Sequence, residues 1–193
     1  MAKAKTISGL RPEAPTGENA RIIAKARLEE MYGWEEHVDH PYRIHELHNL
    51  RIAAKRLRYT LEIFADVLPE ACRFMLNEVE QLQEELGALH DSDMMVALLR
   101  LCLGSQDGGP GYETVLARAR QLQAKGKYTL NPDIVAHLLD SSIAPDAAQR
   151  SGLEWLLRDL QQRREKEYTA FHQHWQSLHN FRVESLTILH AKS

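Results

Sequence analysis

The chain has 193 residues, 44% of them hydrophobic, and a formal net charge of −3. That length and apolar content suit one well-packed domain and exclude wholesale disorder, while the acidic balance excludes a protein that coats nucleic acid with its whole surface. Cys72 and Cys102 belong to no CxxC pair and read as reduced core thiols, no stretch approaches the roughly 20 apolar residues of a membrane span, and the lysine-bearing start lacks the apolar run of a signal peptide, so a soluble cytoplasmic protein is expected.

Residues 1–17 hold Gly9, Pro12, Pro15 and Gly17 with little periodicity and read as a flexible lead-in. A first helix is predicted from Glu18 to His37. Pro41 punctuates, and a second helix follows from Tyr42 to Val67, with Pro69 beyond its end. A third covers Glu70 to Leu103, with a bend at Gly87. The segment 105–111, SQDGGPG, reads as a loop, 112–125 as a helix, and 127–146, interrupted by Pro132 and Pro145, as a broken stretch with room for one short helix. Residues 147–182 read as one long helix, and 183–193 as a polar tail. No segment alternates convincingly as a strand. The expected fold class is all-α, a helical bundle of long antiparallel helices forming a single domain over residues 18–182.

The most informative segment is HELHNLRIAAKRLRYTLEIF, residues 45–64. On a helix, Leu50, Leu57 and Leu61 share one face with Ala53 and Ala54, which makes it the core face. His48, Arg51, Lys55 and Arg58 form a contiguous stripe beside it, about 80° wide, and only Arg56 points elsewhere. Stacked cations at i,i+3 and i,i+4 destabilise a helix by roughly 0.2–0.5 kcal/mol per pair, and no acid lies between Arg51 and Arg58 to relieve them. Residues 77–93 hold six acids and no Lys or Arg. Of these, Glu80, Glu84 and Asp91 fall opposite the apolar face, leaving Asp93 as the internal partner for an arginine. One carboxylate does not neutralise four basic groups, so an anion-binding face is expected, ahead of a purely structural salt-bridge network.

Further arginines point inward on other helices. On the first, Arg27 lies in the apolar stripe of Ile23, Met31 and Trp34, flanked by the more exposed Arg21 and Lys25; on the last, Arg164 lies near the centre of the Leu153, Leu160, Phe171 and Leu178 face. Singly, each is best explained by snorkelling or ion pairing. Together they suit a shared anion, since the planar guanidinium fork matches phosphate oxygens.

The segment HNLRIAAKRLRYTLEIF (48–64) resembles the signature helix of the CHAD family, with its H-x-L-R-x-x-x-K-x-L-R-Y-x-x-E pattern at His48, Leu50, Arg51, Lys55, Leu57, Arg58, Tyr59 and Glu62. LQEELGALHDSDMMVALL (82–99) resembles the family's following helix, and RREKEYTAFHQHWQSL (163–178) its closing one. The resemblance implies a helical bundle, no intrinsic catalysis, and inorganic polyphosphate as the partner, held by basic side chains. No cofactor, no metal, no membrane partner and no specific nucleic acid are expected. The chain shows one clear H-x-L-R motif where full-length members have two related halves, and residues 104–150 match no part of the pattern. That leaves three readings: a compact form, a diverged second half, or a groove completed by a second copy in a homodimer.

Other chemistry lacks its parts. Ten histidines invite a metal site, but no HExxH or Cys-His zinc spacing occurs, and His48 reads as a polar member of the stripe. There is no Walker A loop and no G-x-S-x-G elbow, and Asp91 with Asp93 are too few acids for a metal-dependent phosphohydrolase. A helical module whose basic stripe meets an acidic protein remains the competing function class.

Overall fold

The structure, a computed structural model, describes residues 4–104, 145–178 and 180–190. Among these the secondary structure is helical throughout, in five α-helices and one short 3-10 turn. Helix α1 spans Thr16–Tyr32; Pro15 precedes it and Glu18 places a negative charge in its first turn, where the exposed amides favour one. It ends where the Gly33 amide closes onto the Glu29 carbonyl, and the chain then makes the 3-10 turn Glu35–His37, so the predicted first helix is broken at residue 33. Helix α2 (Ile44–Ile63) falls inside the predicted second, α3 (Cys72–Gly104) matches the predicted third but runs one residue past its end, and helical hydrogen bonding runs through Gly87 without a break.

The long terminal helix divides. Helix α4 spans Ala147–Ser177, and the stretch expected to be a polar tail instead forms α5, Phe181–His190. Phe181, Ser185 and Leu189 recur at i,i+4,i+8 and are all buried, which is enough of an apolar stripe to dock a short helix; α5 packs against α1. The expected loop over 105–111, helix over 112–125 and most of the broken stretch over 127–146 lie outside the described residues.

The chain forms two compact units. The first joins residues 1–91 to residues 164–193, and the second is residues 92–163. In the first, α1 contributes Ala20, Ala24, Leu28 and Met31 to the core, and α2 contributes Leu50, Ala53, Ala54, Leu57 and Leu61. Four of these nine are alanines, small enough to let the α1 and α2 backbones approach closely. The first part of α3 adds Met75, Val79, Leu82, Leu86 and Leu89, and the C-terminal segments add Phe171, Phe181 and Leu189. The lead-in is tied to α1: the Arg11 amide donates to Asn19 Oδ1 at 3.0 Å, Asn19 Nδ2 donates back to the Arg11 carbonyl at 2.7 Å, and the Lys5 carbonyl accepts from Arg27. Gly9 sits in this segment at φ 84°, a left-handed conformation that disfavours any side chain. In the second unit, Ser92, Asp93, Val96 and Leu99 are buried, while Met94, Met95 and Trp155 are exposed.

Candidate anion-binding seam

Helix α2 carries its basic stripe to the edge of α3. Two pairs of positions mark where the helices meet. The imidazole rings of His48 and His90 lie with centroids 4.5 Å apart and planes inclined by 33°. One turn along α2, Arg51 reaches Gly87: a Cβ at that glycine would stand 3.7 Å from Arg51 Nε and 3.9 Å from Nη2. The glycine therefore gives the guanidinium a floor of bare backbone, with nothing forced out of place.

Several polar atoms along this seam are buried without a hydrogen-bond partner among the described residues: Nδ1 of His48, Nδ1 of His90, Nε of Arg51 and Oε1 of Gln83. Gln83, Gly87 and His90 follow at i,i+4,i+7, so α3 presents them on one face. Buried polar groups are nearly always paired, and each unpaired one costs about 1–3 kcal/mol, so such a concentration makes the seam the candidate site.

The cations further along α2 are half-buried or exposed. Arg58 Nε stands 3.4 Å from Glu62 Oε1, one turn away on the same helix. The Lys55 ammonium and the Arg58 guanidinium lie 5.4 Å and 5.0 Å from the centre of the Tyr59 ring, close enough for the ring's π cloud to hold both. Among the described residues neither Arg51 nor Lys55 is ion-paired with a carboxylate. Of the acids of α3, Glu85 and Glu78 close on the two nitrogens of His174 at 2.8 Å and 3.2 Å, and Glu84 and Asp91 are exposed. Glu80, expected in solvent, is half-buried; Asp93, expected on the inner face, is buried.

His48 is held below the ordinary imidazole range, first by burial, then by the neighbouring His90, Arg51 and His45. At neutral pH it is therefore an uncharged ring beside a cationic row.

The other predicted cations make their contacts away from this seam. Arg27 donates to Glu30 at 2.6 Å, and the same carboxylate also takes Arg56. Arg164 is buried, donates to the Pro41 carbonyl and lies 5.4 Å from the Tyr42 ring. Both inward-pointing arginines thus have protein partners that carry or accept their charge. Lys25 Nζ is 3.1 Å from His190 Nε2 on α5, and Arg21 lines a recess with Leu189, His190 and Val67. Sequence reading missed His90, which lies beside the apolar Leu89 on a helix valued only for its acids. The available signal was its i,i+3 spacing from Gly87, on the face that meets the stripe.

The seam thus brings Arg51 and Lys55, neither ion-paired with a carboxylate among the described residues, up to a glycine and a histidine on the adjacent helix of an all-helical fold. The family model for the CHAD domain matches residues 3–100, just over half of the sequence, and the chain belongs to that family. The matched residues include both sides of the seam. No curated protein and no solved structure matches the chain.

Proposed function

We propose that this protein binds inorganic polyphosphate, without catalysis, along the seam of α2 and α3. The observation that carries the reading is that Arg51 and Lys55 have no carboxylate partner among the described residues, although the chain is acidic overall. His48, Arg51, Lys55 and Arg58 are the contacts, and from first to last they span about 15 Å at 1.5 Å per helical residue, room for several successive phosphates. Family membership supports the ligand class, and the guanidinium fork of Arg51 suits phosphate oxygens. Arg27 and Arg164 serve the fold in this reading, while Arg21 and Lys25, on the side of α1 that meets α5, are candidates for a second contact on a long polymer. A cytoplasmic location is part of this reading; separately, no helix among the described residues is long and apolar enough to cross a membrane.

The test is retention on immobilised long-chain polyphosphate, with orthophosphate assayed in the eluate. Retention that weakens steeply with salt and releases no orthophosphate is expected, because several phosphate contacts release counterions together. Release of orthophosphate would move the protein to the phosphohydrolases, and failure to bind would leave the seam to an acidic protein partner.

A further inference from the structure

The paired imidazoles at the His48 end of the seam do something the cations beside them do not: they can change charge between about pH 5 and pH 8. The two rings lie 4.5 Å apart, each with a buried Nδ1 that has no hydrogen-bond partner among the described residues. The charged and titratable groups around them are His45 and Arg51 from α2, while on α3 the adjoining Asp91 is exposed and turned to solvent. The charged groups that bear on His48 are therefore basic, and burial with them holds its ring below the ordinary imidazole range in the free protein.

A polyanion reverses that balance. A phosphate bound over Arg51 brings negative charge to within a turn of both rings, and its oxygens accept hydrogen bonds that only protonated nitrogens can all supply. Resting on the polyphosphate reading above, we propose that His48 and His90 form a proton-linked binding pair, so that the polymer is bound together with a proton and held more tightly as pH falls. His90 thereby becomes a contact residue contributed by α3. The depressed titration of His48 fits, since a ring held neutral by burial and then by basic neighbours gains when an anion arrives beside it.

The source of the pH dependence is separable from the ligand. The internal phosphates of a long chain stay fully ionised over this range, so a change in affinity reports the protein. We expect long-chain polyphosphate to bind the full chain about threefold to tenfold more tightly at about pH 6 than at about pH 7.5 at constant ionic strength, the scale set by linkage to up to one proton. The ratio of the two affinities, rather than either alone, should fall towards one in His90→Gln and in His48→Gln, and should persist in His172→Gln, whose ring pairs with Asp39 instead. Calorimetry on the unmodified protein in two buffers of different ionisation enthalpy reads proton uptake directly and needs no variant to fold. Salt-sensitive binding with an unchanged ratio and no proton uptake would overturn the pair while leaving the polyphosphate reading standing. A ratio preserved in both histidine variants would equally overturn it, and absence of binding at both pH values would overturn the reading on which it rests.

Discussion

Replacing Glu30 by Gln separates the cations that hold the fold from those available to a ligand. The Glu30 side chain is 8% exposed and receives Arg27, 16% exposed, and Arg56, 26% exposed. It joins α1 to α2. Glu30→Gln keeps the shape but removes the charge, leaving two guanidinium groups facing each other across an amide. Two charge-assisted hydrogen bonds contribute about 1.5–3 kcal/mol each, and breaking a buried ion pair costs about 3–5 kcal/mol. Both arginines can turn partly towards water, which places the loss at about 2–4 kcal/mol. For a chain of this length, each kcal/mol moves Tm by roughly 2–4 °C, so a fall of about 5–15 °C is expected in a thermal melt followed by circular dichroism. Replacing Glu30, Arg27 and Arg56 together by Met should recover much of the loss, as apolar substitutes for buried ion pairs often do. Polyphosphate affinity, measured where Glu30→Gln is fully folded, should be unchanged. A shift in Tm below about 2 °C, or a loss of affinity in the folded variant, would refute the assignment of Arg27 and Arg56 to the fold.

Arg51→Ala, Lys55→Ala and Arg58→Ala should each weaken polyphosphate binding by about 1–3 kcal/mol, or roughly 5- to 150-fold, with Tm nearly unchanged because relief of like-charge repulsion offsets lost stem packing. Binding isotherms and melts on the same samples check both halves; lowered melting with intact binding would identify the three as structural. Arg164→Met should lower Tm, since the Pro41 carbonyl loses its donor, without altering affinity for the polymer. Finally, free protein should lose stability as pH falls through the imidazole range. His48 titrates lower in the folded chain than in the unfolded one, so the unfolded state takes up the proton first, and the stability contributed by the neutral ring is full above the ordinary imidazole pKa and disappears below it. Melts between about pH 7.5 and pH 5.5 should show the decline, and His48→Gln should make it shallower.

Helical periodicity carried most of the first unit. Leu50, Leu57 and Leu61 on α2 and Val79, Leu82, Leu86 and Leu89 on α3 repeat at the spacing of one helix face, and all are buried. The stripe was legible for the same reason, since placing His48, Arg51, Lys55 and Arg58 on one side needs only the helical rotation per residue. What a wheel omits is the partner. It set Arg27 on the inner face without asking what met it there, although Glu30 stood three residues on, the spacing of a helical ion pair. The other end of that pair, Arg56, lies 26 residues further along the chain, and its pairing became visible only once α1 and α2 were packed together. Helix α5 was missed because three buried residues in ten, one of them Ser185, give too faint a stripe against Arg182, Glu184 and His190. His90 needed both helices at once, since nothing in α3 alone reveals what its ring stacks upon.

The first unit is assembled from the two ends of the sequence, and this sets the order in which the chain can fold during synthesis. Residues 1–91, with the apolar faces of α1, α2 and much of α3, are made well before Phe171, Phe181 and Leu189, which complete that core. Contacts of such long sequence separation form slowly, because the intervening chain must be brought to closure before any of them forms. The nascent protein therefore carries an uncovered Leu- and Met-rich surface on the ribosome until residues 164–193 arrive. A chain stalled within the second unit would be a substrate for chaperones rather than a working half-protein.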